Sequence, residues 1–289
     1  MPIAVIAFDF DPLVRLGDGL VVRWQTVALA AVLAGCLVVA GLLARRASLR
    51  ADDLLYIAVG AVPGAVIGGR LGQLAIVPEA FHAGPLSLLD PAIGGLELGL
   101  GVVGGSLTSA YVAKLLGAPV GRWAHRLALP LLVALGGGKL AIAIGGSGQG
   151  SPLDALWATA YLGPGPWGSL APELASHPAQ LYEGLATLVL ALLLLVGGMG
   201  DGSRANDGRR LLIVVGAWAA VRAVVSIIWR DPAVLGPLPM GGVLAAGIVV
   251  GAAALLATAA RWSQRRRRAG AGPDDHEPSW PDPETRPQF

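Results

Sequence analysis

Seven apolar runs organise this chain, near residues 25–44, 55–77, 92–113, 127–146, 180–198, 211–229 and 241–260. Each approaches the roughly 20 residues that a helix needs to cross the hydrocarbon of a bilayer. In hydrocarbon every backbone N–H and C=O must be satisfied within its own segment, so the runs predict helices. The strong alternation of a barrel strand is absent. The pattern therefore predicts an all-α, polytopic membrane protein with seven transmembrane helices.

The charges between the runs set an orientation. Arg45, Arg46 and Arg50 follow the first run, and Lys114, Arg122 and Arg126 follow the third. Arg204, Arg209 and Arg210 follow the fifth, and Arg261 with the run Arg265 to Arg268 follows the seventh. The alternate connections, 78–91 and 147–179, hold no lysine or arginine, and 230–240 holds only Arg230. Basic residues collect on the cytoplasmic side, so the N-terminus is expected outside and the C-terminus inside. The chain divides into a transmembrane domain, 1–263, and a tail, 264–289, that opens basic and turns acidic and proline-rich. The tail is expected to be disordered, with its basic cluster held as a topology anchor against anionic lipid.

Composition agrees. Hydrophobic residues make up 54% of the 289 positions and charged residues only 14%, against about a quarter charged in soluble domains. The 42 glycines follow no collagen period; in a membrane protein they let helices approach closely. Asp9, Asp11 and Asp18 interrupt the N-terminal stretch, so no cleavable signal peptide is expected. The single Cys36 excludes an intramolecular disulfide. No internal repeat is evident, which weakens a transporter reading built on inverted repeats. No metal, cofactor or nucleic acid is expected.

Charges inside membrane segments are costly and face a protein interior or a wet cavity. Arg70 stands in "GGRLGQ", Glu97 in "GGLELGLG", Lys139 in "GGGKLAIAIGG", Glu183 in "HPAQLYEG" and Arg222 in "AAVRAVVS", with Arg23 at the entrance of the first run. Four cations against two carboxylates suit an anionic ligand such as a phospholipid phosphate. The plainer account pairs Arg70 or Arg222 with Glu97 or Glu183 to fix helix register. His177 precedes Pro178, which suits the first turn of a helix. Gln180, Tyr182 and Glu183 then fall in the first two turns of the fifth run. Taken alone, these residues are best explained as a helix cap with an interfacial tyrosine.

The motifs, in their order, point further. "HPAQLYEG" closely resembles the H-P-[S/A]-Q-L-Y-E motif of the bacterial prolipoprotein diacylglyceryl transferases. "FDPLVRLGDGLVVRW" is similar to that family's opening, "GGRLGQ" to its G-[G/A]-R-[L/I]-G-Y, "GGLELGLGVVGG" to its S-F-H-G-G segment and "RAVVSIIWR" to its late R-F-x-x-E-x-x-R helix. The resemblance covers roughly residues 8–262. It implies transfer of the diacylglyceryl group of phosphatidylglycerol to the lipobox cysteine thiol of a preprolipoprotein signal peptide, with glycerol 1-phosphate leaving, in the bacterial plasma (inner) membrane. It implies catalytic roles for His177, Lys139, Arg222 and Glu183, and substrate contacts for Arg23, Arg70, Gln180, Tyr182, Arg230 and Glu97. Such chemistry asks for cations that hold phosphate and for a base that converts thiol to thiolate.

The departures fall on working positions. The family's histidine aligns with Gly99. Its signature G-R-x-x-N-F-x-N-x-E-x-x-G becomes "GKLAIAIGGSGQG", with Lys139 for arginine, Ile142 and Gly145 for the asparagines and Ser147 for glutamate. Gln25 and Gln73 replace tyrosines, and Ser226 replaces the glutamate between the late arginines. Lysine keeps the charge at 139 but loses the guanidinium fork. Three readings follow: a transferase with a rearranged site, a diverged relative that binds phospholipid or precursor without catalysis, and a transporter or flippase. "LAGC", Leu33 to Cys36, has the form of a lipobox, but apolar sequence continues beyond it, and it is read as coincidence.

Overall fold

The computed structural model describes residues 6–17, 19–81, 84, 90, 95–197 and 208–270. Among these residues the chain forms seven helices: α1 Trp24–Arg46, α2 Asp53–Ile76, α3 Leu98–Leu115, α4 Val120–Ile144, α5 Ala179–Val196, α6 Arg209–Ser226 and α7 Met240–Gly270. Six of them, all but α6, are long and apolar enough to cross a membrane. The sixth predicted span, 211–229, thus falls short of that measure. Arg209, Arg210 and Arg222 lie within its 18 residues, while Val214, Trp218 and Ala219 bury its middle against its neighbours.

The purely helical expectation needs a second correction. Three short two-stranded sheets are present among the described residues. β1 (Ile6–Phe8) runs parallel to β4 (Thr159–Tyr161), β2 (Leu13–Leu16) forms a hairpin with β3 (Leu20–Arg23), and β5 (Ala233–Leu235) pairs with β6 (Leu238–Pro239). All lie at the end of the bundle where α1, α3, α5 and α7 begin. The β2–β3 hairpin feeds directly into α1, and the Trp24 N–H donates to the Pro12 carbonyl at 2.9 Å. The opposite end carries the basic residues, with Arg45 and Arg46 in the last turn of α1 and Lys114 in that of α3. Cations there complement the carbonyl ends of the helices.

Two helix boundaries depart from the apolar runs. α4 begins at Val120, before its run at 127, because its first two turns bury Trp123 and His125. α7 continues through the basic residues to Gly270, so the expected boundary at 263 falls inside a helix; arginine is a good helix former. The expectation of a disordered tail over 271–289, and the first residues of the third run, 92–94, lie outside the described residues.

α2 and α3 form a close antiparallel hairpin on a glycine seam. A methyl group at Gly64 would overlap the Gly104 carbonyl, and one at Gly68 would overlap the Leu100 carbonyl. Small residues at such a crossing let backbone meet backbone, which is how helices gain contact where no hydrophobic effect drives them together. The main core joins α4, α5, α6 and α7 through Leu132, Leu135, Leu194, Val214, Trp218 and Ile248. A smaller core at the basic end joins Ala44, Ile57, Ala113 and Trp123. Between α1, α2, α3 and α4 lies an apolar cavity of about 640 Å³. Cys36, Ala61, Val102 and Leu131 are among its walls, Trp123 lies toward its basic end, and Glu97 is the one charged residue in its lining.

Candidate functional site

Four of the intramembrane charges converge. Glu97 precedes α3, Lys139 lies near the end of α4, Glu183 near the start of α5 and Arg222 near the end of α6. Because these helices alternate in direction, the four positions meet near one end of the bundle, Glu97 at the start of α3 and the other three about a turn inside their helices. Arg222 is the hub. Its Nη1 donates to Glu183 Oε1 at 3.0 Å and Oε2 at 3.4 Å, and its Nη2 donates to Glu97 Oε1 at 3.1 Å. Lys139 Nζ reaches Glu183 Oε2 at 2.7 Å. Arg222, Glu97 and Glu183 are all buried. Two cations face two carboxylates, so the cluster is formally neutral. Buried charges of this kind persist only when paired and hydrogen-bonded.

The local sequence explains each placement. Glu97 caps α3: its Oε1 accepts from the Gly99 N–H at 2.7 Å and its Oε2 from the Leu100 N–H at 2.6 Å. Its own N–H donates to the Gly69 carbonyl of α2 at 2.9 Å, which ties the cap to the glycine-rich turn before Arg70. Gly72 leaves the slot that the Glu97 side chain fills; a methyl there would lie 2.6 Å from Glu97 Cβ. Gly136 and Gly184 bring α4 against α5, which sets Lys139 beside Glu183. Trp229, just past α6, covers the cluster, with the Arg222 guanidinium carbon 4.7 Å and Lys139 Nζ 5.9 Å from its ring centre.

The remaining sequence-predicted residues lie apart from this cluster. Arg230 fastens the long connection between α4 and α5: Nε donates to the Gly150 carbonyl at 2.7 Å, Nη2 to Ser176 Oγ at 2.8 Å and Nη1 to Ser169 Oγ at 3.3 Å. Arg70 Nη2 donates to the Asp90 carbonyl at 2.9 Å. Arg23 is exposed at the start of α1. His177 meets Tyr182 edge to face at 6.2 Å, and its buried Nδ1 has no hydrogen-bond partner. Gln180 is fully enclosed, and its Nε2 donates to the Tyr161 hydroxyl at 2.9 Å.

Tyr161 is a residue the sequence reading missed. Its hydroxyl donates to the Ala143 carbonyl at 2.7 Å, at the end of α4. Its ring stacks on Phe8 at 4.9 Å and packs against Trp167 at 4.9 Å. Burial pushes its phenol up to about 12, although the Gln180 hydrogen bond pulls the other way. Trp229 was also missed. Its signal was available in "RAVVSIIWR", where the tryptophan stands two helical turns after Arg222, a spacing suited to cation–π contact. Glutamines occupy the polar neighbourhood where the family signature departs. Gln149 Nε2 donates to the Thr159 carbonyl at 3.1 Å, while the Oε1 atoms of Gln25, Gln149 and Gln180 are buried without partners.

Comparison with known proteins agrees with this architecture. A relative from Gluconacetobacter diazotrophicus, a phosphatidylglycerol–prolipoprotein diacylglyceryl transferase, is 29% identical over 243 residues, covering 81% of this chain and 83% of its own. One of the same name from Methylocella silvestris is 28% identical over 281 residues, covering 90% and 98%. Another from Agrobacterium fabrum is 30% identical over 201 residues, covering 69% and 68%. The family model described as prolipoprotein diacylglyceryl transferase matches residues 12–258, and the chain belongs to that family.

Proposed function

We propose that this chain is a multi-pass protein of the bacterial plasma membrane, with all seven helices spanning, its N-terminus outside and its basic end cytoplasmic. Its reaction is transfer of the diacylglyceryl group of phosphatidylglycerol to the lipobox cysteine thiol of a prolipoprotein. One observation carries the reading within the family: a buried cluster of Lys139, Arg222, Glu97 and Glu183 meets, through Glu97, an apolar cavity of about 640 Å³. The pairing suits an amphiphile, with phosphate among the cations and acyl chain among the apolar walls. That volume is within the roughly 300–1,000 Å³ of typical ligand sites.

In this mechanism Lys139 and Arg222 hold the phosphate and stabilise charge as it develops. A carboxylate of the cluster or the unpartnered His177 Nδ1 takes the thiol proton. The thiolate attacks the glyceryl carbon attached to the phosphate oxygen. A carbon–sulfur bond forms, the carbon–oxygen bond breaks, and its electron pair leaves on glycerol 1-phosphate. Trp229 keeps water from the cations. A second reading, lipid binding without transfer, is favoured by Ile142, Gly145 and Ser147, which offer neither amide nor carboxylate side chain. The test is transfer of labelled diacylglyceryl from phosphatidylglycerol to a lipobox peptide in liposomes. Transfer is expected with the wild-type chain and should fall by at least about 100-fold in Lys139→Ala and Arg222→Ala. A folded protein that binds the lipid but transfers nothing would leave the second reading.

A further inference from the structure

The Glu97 carboxylate lies in a setting made for an oxyanion. Three donors converge on its two oxygens: the Gly99 N–H at 2.7 Å, the Leu100 N–H at 2.6 Å and Arg222 Nη2 at 3.1 Å. The two amides belong to the second and third residues of an 18-residue helix, where the positive end of the dipole adds to the field. A second observation is independent of the helix end. Arg222 is buried, and its Nε has no hydrogen-bond partner. The resident carboxylates therefore leave the Nε donor of this guanidinium unused, and leaving it buried and unpaired is costly.

We propose that the Glu97 carboxylate is a resident stand-in for a phosphate group, and that a phosphate ester binds by displacing it from the start of α3. A phosphodiester carries one negative charge and two unshared oxygens, the same pattern as a carboxylate. It can take over the Gly99 and Leu100 N–H groups and Arg222 Nη2, and its tetrahedral shape presents further oxygen toward Arg222 Nε. Occupancy makes displacement, rather than addition, the accessible route. The Glu97 oxygens already hold these donors, so a phosphate reaches them only as Glu97 moves out. Glu97 also lines the apolar cavity, so a lipid seated there would bring its phosphate to this carboxylate first. The plainer account makes Glu97 a helix cap and register pin; that account expects only the gain that losing one negative charge gives, the same in Glu97→Gln as in Glu183→Gln. The proposal rests on the transferase reading only for naming the phosphate ester as phosphatidylglycerol.

The experiment measures binding and not transfer, so failure of the transferase reading leaves it intact. The full chain in neutral detergent is titrated with inorganic phosphate, and separately with phosphatidylglycerol in mixed micelles, by phosphorus NMR. Glu97→Gln keeps an acceptor for the α3 amides but gives up the charge. It should bind about tenfold more tightly, since the anion no longer competes for charge-assisted hydrogen bonds. Glu183→Gln changes the net charge equally without vacating the α3 amides, and should gain clearly less. Gain with both probes assigns the site to phosphate as such, and gain with phosphatidylglycerol alone assigns it to the lipid headgroup; either supports displacement. Unchanged or weaker binding in Glu97→Gln, or an equal gain in Glu183→Gln, overturns it. If Glu97→Gln does not fold, Glu97→Ser serves, because serine caps a helix with a neutral oxygen and the same direction of change is expected.

Discussion

Replacing Arg222 by methionine is the sharpest test of the charged cluster. Methionine approximates the volume of the side chain's apolar stem while removing three hydrogen bonds to carboxylates, at 3.0, 3.4 and 3.1 Å. Glu183 would keep Lys139 at 2.7 Å. Glu97 would keep the α3 amides but lose the one counter-ion the structure gives it. Breaking a buried ion pair from one side costs about 3–5 kcal/mol, because the other charge stays behind. Arg222→Met should therefore destabilise the fold by about that amount, measured by denaturant unfolding in detergent. The diagnostic step is the second substitution. Adding Glu97→Gln to Arg222→Met restores neutrality and should recover about 1–2 kcal/mol, although Glu97→Gln alone destabilises. A double variant no more stable than Arg222→Met would refute the view that these two groups answer each other's charge.

Two further outcomes follow from the structure. Tyr161→Phe removes the donor to the Ala143 carbonyl and the acceptor for Gln180 Nε2, and should cost about 1–3 kcal/mol by thermal or denaturant unfolding. In the wild type, the Tyr161 phenol titrates near 12 in the fold against an ordinary 10. Its contribution is thus complete below pH 10 and is lost as pH rises through about 12, a loss that Tyr161→Phe should lack. Gly104→Ala drives a methyl into the Gly64 carbonyl at a backbone contact and should destabilise by about 1–3 kcal/mol. Gly251→Ala, with nothing within 4 Å, should be neutral or slightly stabilising by comparison.

Much of the bundle was legible because a bilayer imposes one rule on every segment. The run at 25–44 became α1 at Trp24–Arg46, and the run at 180–198 became α5 at Ala179–Val196. Hydropathy failed where a helix starts with polar residues, as at Arg122, His125 and Arg126 in α4. The charged residues were legible as exceptions, since each had to find a partner. Their pairing was not, because it depends on how α3, α4, α5 and α6 cross. Within the cluster the charges balance for that reason: of the four cations counted in the sequence, Arg23 is exposed and Arg70 donates to a backbone carbonyl, which leaves Lys139 and Arg222. Tyr161 and its strand were invisible because three residues carry no period, and their pairing with Ile6–Phe8 is set by tertiary structure.

That pairing has a consequence for biogenesis. Ile6 lies beside Thr159, so the first strand to leave the ribosome waits for a partner made after four helices. Until then Phe8 lacks Tyr161, and the phenol lacks the ring it stacks on. Both segments must already be on the same side of the bilayer when they meet. The clasp therefore closes only once the first four helices have been made, and a chain truncated after α4 would leave Ile6–Phe8 without its partner strand.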